Sequence, residues 1–233
     1  MPKSGSTLAF QLSRAVALGR WQKPDPRGEF TDHTGTPSAF CRDWSAPELR
    51  RILDAAEDRR RMLVIKTHSG PSAAVREAAK SGLVRVQAVC RDPRDIALSM
   101  VDMGRSGGAW GRVGKGKTVA GPEDARVRIA GQIQTFHEWA SMPGVLTLNY
   151  ERVAFDMKGT VARIAGHMGV RCWPWWVSRS VKRGVTHFNK GKPLRHHSEM
   201  AASSAAEWQE QFGEFISSYC SDIPAGCLER GRR

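Results

Sequence analysis

The chain has no paired cysteine spacing, no long apolar run and no surplus of acid, and each lack excludes a class of protein. Its five cysteines, Cys41, Cys90, Cys172, Cys220 and Cys227, are scattered and odd in number, without C-x-x-C spacing. That pattern excludes a disulfide framework or a zinc site and fits a reducing, cytoplasmic setting. No stretch resembles a transmembrane span, and the N-terminus lacks the apolar core of a secretory signal. Acidic residues are outnumbered: 23 Asp and Glu against 36 Lys and Arg leave a formal net charge of +13, with an isoelectric point near 10.1. Such a balance implies an anionic partner, whether nucleic acid, a membrane surface, a polyanionic substrate or a phosphate-rich cofactor.

No internal repeat and no linker interrupts the 233 residues, of which 40% are hydrophobic and 25% charged. Residues 1–233 are therefore expected to form one α/β domain with a real core. "SAPELRRILDAAEDRRRM" reads as a helix, with Ser45 and Glu48 as a capping box and Pro47 in the first turn. "MLVIK" (62–66) follows as a short buried strand. A helix over 72–80 ends at Gly82, and "LVRVQAVC" (83–90) is a second strand leading directly into a helix over 93–103. A long helix is expected over 122–140, a third strand at "GVLTLNY" (144–150), and helices near 158–168 and 203–218. This alternation predicts a layered α/β fold with a parallel sheet, whose ligands bind at the carboxyl ends of the strands.

Chemistry-bearing residues stand at those ends. Lys66, Thr67 and His68 follow the first strand, Arg91 and Asp92 the second, and Tyr150 and Glu151 the third. Ser99 lies eight residues after Arg91, about two helical turns on, so both are placed to reach one phosphate; an ion pair from Arg91 to Asp92 or Asp95 accounts for the arginine equally well. At the N-terminus, "MPKSGSTLAF" has no bulky side chain from Pro2 until Leu8, where a helical apolar pattern opens. Small residues leading into a helix make an anion site, because unpaired backbone N–H groups and the positive end of the helix dipole coincide. Lys3 adds a full charge there, although a Ser/Thr cap on a frayed terminus reads the same stretch.

Taken together and in order, these segments resemble the PAPS-dependent sulfotransferase family, PAPS being 3′-phosphoadenosine 5′-phosphosulfate. "PKSGST" resembles its 5′-phosphosulfate loop, "IKTHSGP" the strand and loop with the catalytic His, and "VCRDPRDIALSM" the 3′-phosphate segment. "LNYERV" resembles the strand ending in Tyr-Glu-Asp, and "HFNKGKP" a worn form of the late Arg-Lys-Gly loop. The resemblance implies a three-layer sandwich about a central parallel sheet, similar to P-loop nucleotide-binding folds. It implies sulfonyl transfer from PAPS to a hydroxyl or amine, with His68 as base and Lys3 and Lys66 stabilising charge, and no metal. The donor would be held by Lys3, Ser4, Gly5, Ser6 and Thr7, by Arg91 and Ser99, by Tyr150, and by Lys190 and Gly191. "KRG" (Lys182, Arg183, Gly184) competes for the late loop; Asn189, Lys190 and Gly191 fit better by distance to the final helix.

Three departures stand out. The strand that precedes the loop in the family is missing, so either the start codon lies upstream or the sheet lacks a central strand. The Trp that often follows the loop is Leu8, and Leu194-Arg195-His196 stand where Gly-Asp-Trp is frequent. Two rival readings compete. "GRVGKGKT", from Gly111 to Thr118, satisfies the G-x-x-x-x-G-K-[ST] phosphate loop of ATP- or GTP-dependent phosphotransferases, but no buried strand precedes it, and Gly121 and Pro122 delay the helix that must follow. It reads as a glycine-rich lid over the acceptor. Basic clusters such as Arg59-Arg60-Arg61 suit a nucleic-acid-binding protein, but no nucleic-acid signature accompanies them, and "WPWW" (Trp173, Trp175, Trp176) reads as an aromatic cap on a core or pocket. The expected acceptor is a small molecule, lipid or saccharide, with the charge favouring an anionic one.

Overall fold

A computed structural model describes residues 1–18, 30–32, 34–108, 111–113, 116–184, 191–224 and 227. Helix α1 (Ser6–Leu18) opens out of a turn at residues 2–5 and buries Leu8, Leu12 and Val16. Strands β1 (Phe30–Thr31) and β2 (Pro37–Ser38) pair antiparallel. Helix α2 (Ala46–Asp58) starts at a proline-bearing first turn, but Ser45 makes no side-chain cap. Glu48 is buried and pairs with Arg51 at 2.9 Å instead, so the expected capping box does not form. In α3 (Ala73–Lys80) the cap is made: Val75 N–H donates to Ser72 Oγ at 3.3 Å.

Strand β3 (Gln87–Cys90) runs into α4 (Pro93–Arg105), whose N-cap Asp92 accepts from the Arg94 N–H. Strands β4 (Arg112–Val113) and β5 (Lys117–Thr118) form a small antiparallel hairpin, and a 3₁₀ turn at Pro122–Ala125 leads into α5 (Arg126–Ala140). Strand β6 (Leu146–Asn149) passes at once into α6 (Tyr150–Phe155), then α7 (Met157–Met168), which ends on Gly169 at φ 67°. Only glycine adopts that left-handed C-cap without strain. Helices α8 (Pro174–Gly184), α9 (His196–Glu199) and α10 (Ala202–Phe215) follow, the last continuing as a π turn at Ile216–Cys220.

The sheet centre is the parallel pair β3–β6, in register from Gln87 opposite Leu146 to Cys90 opposite Asn149. Strand alternation sorts its side chains into two cores. Ala88 and Cys90 pack with α4, α5 and α10 around Ile96, Ile129, Phe136 and Trp208. Val89 and Leu148 pack with α1 and α7 around Leu12, Val161 and Ile164. Helices thus cover both faces of a parallel pair, as a three-layer α/β sandwich requires. A third cluster, around Phe30, Trp44, Leu49 and Val75, joins α2 and α3 to the same body.

The structure corrects several expectations. The strands are shorter than their apolar runs, since pairing covers only four residues of each. Residues 62–66 form no strand and are not fully buried; they make a single parallel bridge, Lys66 to Phe40. Among the described residues no strand lies between that segment and β3, and a cavity of about 530 Å³ is lined by both. Of the "WPWW" aromatics only Trp176 packs on a core; Trp173 and Trp175 are 72% and 51% exposed. Within 111–118 the described residues pair as antiparallel β4 and β5 rather than as a strand-to-helix phosphate loop, and Lys117 Nζ pairs with Asp124 Oδ1 at 3.1 Å. Lys182, Arg183 and Gly184 close helix α8 rather than forming a loop.

Leu148 is wholly buried at the junction of β6 with the α1–α7 core. Leu148→Ala is expected to lower unfolding free energy by about 2–5 kcal/mol, the range for a buried leucine cavity. Urea denaturation of the variant against the parent chain checks this.

Candidate active site

Three chain segments meet where β3 and β6 end. The first is the N-terminal turn. Lys3 and Gly5 both have positive φ, 62° and 80°, which curls the backbone so that α1 begins at Ser6 with its first N–H groups at the turn. Ser4 is buried; its Oγ donates to the carbonyl of Met1 at 2.5 Å and lies 3.2 Å from that of Val89. The Ser4 hydroxyl therefore fastens the turn to β3, and its contribution to an anion is its backbone amide. Lys3 is half-buried, and its pKa is lowered by burial first and by Arg91 next, with Asp102 partly opposing.

The second segment carries Lys66 and His68. Lys66 Nζ donates to Thr7 Oγ1 at 2.8 Å, tying the two loops together. Burial lowers the pKa of Lys66. His68 sits beside the Phe40 ring, with centroids 5.4 Å apart. Burial, the Met1 amino group and Lys66 push its pKa down to about 3, so the imidazole is neutral at physiological pH. Lys66 and Thr7 are thus joined directly, and Ser6, Lys66 and His68 line one cavity, while Lys3 faces Arg91 and Asp102.

The third segment centres on Arg91, at the end of β3 and 5% exposed. Its guanidinium carbon lies 3.9 Å from the centroid of the Tyr150 ring. Gly5 also lies against that ring: an added Cβ would come within 2.8 Å of Tyr150 Cδ2. Tyr150 therefore touches both the N-terminal turn and Arg91, and Gly5 is required there both by this contact and by its φ. Arg91 Nη2 donates to Asp95 Oδ2 at 3.1 Å and to the Lys192 carbonyl at 3.3 Å. Of the two carboxylates open to it, Asp95 is the partner; Asp92 pairs with Arg94 at 2.6 Å. Arg91 Nε is buried with no partner among the described residues. Ser99 is buried on α4 between Asp95 and Asp102, at a spacing that puts all three on one helix face.

Two features escaped the sequence reading. The first is the segment after Gly191, which turns back over the site: Gly191 and Leu194 have φ 62° and 50°, and Asp95 accepts from the Arg195 and His196 N–H groups at 3.2 and 2.9 Å. Arg195 Nη2 pairs with Asp102 at 2.9 Å and Glu199 at 2.6 Å. Burial works against the charge on Asp95, but Arg91 and His196 outweigh it and hold the carboxyl well below its ordinary range. The second is Glu151, buried with neither carboxylate oxygen partnered among the described residues. Burial pushes its pKa up to about 7, against the pull of Arg91, so near neutrality a large fraction of it is uncharged, and Asp95 remains the carboxylate paired with Arg91. Lys190 falls outside the described residues.

The architecture defines a class: a parallel α/β sandwich with a small-residue, lysine-bearing turn at a helix N-terminus and an arginine at the next strand end. Comparison gives the family. The family model of the sulfotransferase domain matches residues 1–220, and the chain belongs to that family. Among solved structures it is similar to mouse sulfotransferase SULT7A1 complexed with PAP, at 16% identity and a TM-score of 0.57, covering 95% of this chain and 83% of that one. No curated protein matches the chain.

The depressed pKa of His68 has a consequence for stability. Its ordinary value is 6.5 and its folded value about 3, so between those limits the unfolded chain binds more protons and stability rises with pH. Acidification through this window is expected to destabilise the protein, and His68→Gln is expected to flatten that part of the profile. Denaturant midpoints measured from pH 7 to pH 3 on both chains check it.

Proposed function

We propose that this sulfotransferase-family chain moves a sulfonyl group from PAPS to a hydroxyl or amine acceptor. The observation that carries the reading is the Gly5–Tyr150–Arg91 stack, which joins the lysine-bearing turn to a buried arginine with an unpartnered Nε. Two cationic, N–H-rich points at a fixed separation suit a nucleotide bearing phosphate at both its 5′ and 3′ positions. The PAP bound to mouse SULT7A1 is such a molecule.

In this reading the 5′-phosphosulfate lies on Lys3 and the amides of Ser4, Gly5, Ser6 and Thr7, and the 3′-phosphate on Arg91 and Ser99, with Gly191 at its edge. Lys190 belongs to the same proposal. The acceptor oxygen or nitrogen attacks sulfur in line with the bridging oxygen. The bond from sulfur to that oxygen breaks, the acceptor's proton passes to His68, and the 3′,5′-bisphosphate leaves with the electron pair. Lys3 and Lys66 stabilise the charge that grows on the bridging and sulfonate oxygens. His68 starts neutral, as a base must, and the donor's negative charge beside Lys66 raises its basicity when the site fills. Positioning and fixed positive charge do most of the work, as in phosphoryl transfer, and the proposed mechanism uses no metal.

The acceptor is proposed to be a small molecule, lipid or saccharide, and the surplus of basic residues favours an anionic one. A reducing cytoplasmic setting is proposed from the thiols of Cys41, Cys90, Cys172 and Cys220, none of them in a disulfide.

Calorimetry with the 3′,5′-bisphosphate and with ATP–Mg²⁺ tests the donor site. Lys3→Ala is expected to weaken bisphosphate binding at least about tenfold, the loss of one strong charge-assisted contact, while Lys117→Ala leaves it unchanged. Tight ATP–Mg²⁺ binding that depends on Lys117 and ignores Lys3 overturns the reading. For the base, His68→Ala is expected to lower turnover at least ~10²-fold with bisphosphate affinity retained; near-normal turnover removes His68 from the mechanism.

A further inference from the structure

The basic surplus of the chain is unevenly placed. From Met157 to Gly184, which is α7, α8 and the turn between them, Lys158, Arg163, Arg171, Arg179, Lys182 and Arg183 stand with no Asp or Glu among them. These cations carry close to half of the formal net charge of +13. Lys158, Arg163, Arg171 and Arg179 are exposed. A one-signed surface of this kind attracts an anionic partner over a Debye length or more.

The same span holds two indoles in water. Trp176 and Val177 pack on the α1–α7 core and fix one side of α8, while Trp173 and Trp175 stand exposed at its start. Arg179 follows Trp175 by four residues, about one helical turn, so the indole and the guanidinium share a face. Arg171 stands two residues ahead of Trp173. Where α7 ends and the turn to the tryptophans begins, the exposed Arg85 donates from Nη1 to the His167 carbonyl at 2.5 Å. That bond keeps the Arg85 charge and brings a further cation to this end of the helix pair.

We infer that this surface docks on an anionic lipid bilayer, with Trp173 and Trp175 at the boundary of headgroups and acyl chains and Arg171 and Arg179 among the anionic headgroups. Indole suits that depth because its ring is apolar and its N–H is polar. Aromatic insertion and basic attraction together supply the two signals that firm attachment takes. Nucleic acid would meet the same charge, but bases stack on open aromatic faces. These two rings instead pack on each other, with centroids 6.5 Å apart and planes at 62°. A stable protein interface buries about 800 Å² per partner around an apolar centre. Among the described residues of this span, the two tryptophans are the only large apolar side chains exposed. The inference uses none of the residues proposed to hold the donor and is independent of that assignment.

Cosedimentation of the full chain with vesicles of phosphatidylcholine, pure or mixed in equal parts with phosphatidylglycerol, tests the inference. The chain is expected to bind the mixed vesicles, to be released as salt rises, and to leave pure phosphatidylcholine unbound. Brominated acyl chains are expected to quench its fluorescence. Trp173→Ser with Trp175→Ser, and separately Arg171→Glu with Arg179→Glu, are each expected to lower the partition coefficient about tenfold or more. All four side chains are exposed, so both double variants are expected to keep the parent melting temperature. The tryptophan variant is also expected to lose the bromine quenching, which places the indoles in the acyl region. No binding to mixed vesicles overturns the inference, as does binding of parental strength in either variant. Tryptophan-dependent binding of a single-stranded oligonucleotide, or tryptophan-dependent self-association, in the absence of vesicle binding would assign the surface to that occupant and overturn it equally.

Discussion

Asp95 lies wholly enclosed on the first turn of α4 and accepts from the Arg91 guanidinium, from the Arg195 and His196 amides, and contacts His196 Nδ1 at 2.9 Å. One carboxylate therefore binds a strand end to a segment a hundred residues later. A buried charge is tolerated only when its partners are complete, and removing one side of such a pair typically costs about 3–5 kcal/mol. The rest of the site hangs on this point. Arg91, once fixed, presses on Tyr150; Tyr150 fills the space that Gly5 leaves; and Gly5 sets the turn that presents Lys3 and the first amides of α1.

The same arrangement leaves Arg91 one nitrogen beyond its structural contacts. Arg91 gives one guanidinium nitrogen to Asp95 and Lys192 and keeps Nε unpartnered. Glu151, buried near Arg91, is held partly neutral by burial. Arg195 is paired with Asp102 and Glu199 and Arg91 with Asp95, so Arg91 Nε is a buried donor left without a partner among the described residues.

Much of this was legible locally. The helices expected from residues 72 and 93 begin at Ala73 and Pro93, because helix starts are decided within about four residues, and the order of strand ends set Arg91 beside Tyr150. What escaped depends on distance. The Asp95 contacts to Arg195 and His196 join residues a hundred positions apart, and no periodicity encodes them. Strand lengths follow from how many residues find a neighbour, which is why the apolar run 62–65 forms no strand and only Lys66 makes a bridge. Glu48 shows a local rule losing to packing: burial and Arg51 draw it away from the cap.

The central claim is that one bisphosphate nucleotide spans the N-terminal turn and the end of β3. A crystal structure of the chain with 3′-phosphoadenosine 5′-phosphate tests it most directly. The account predicts the 5′-phosphate on Lys3 and the amides of residues 4–7, and the 3′-phosphate within hydrogen-bonding reach of Arg91 and Ser99. A nucleotide seated instead on the β4–β5 hairpin, or one whose 3′-phosphate points to solvent away from Arg91, would contradict it.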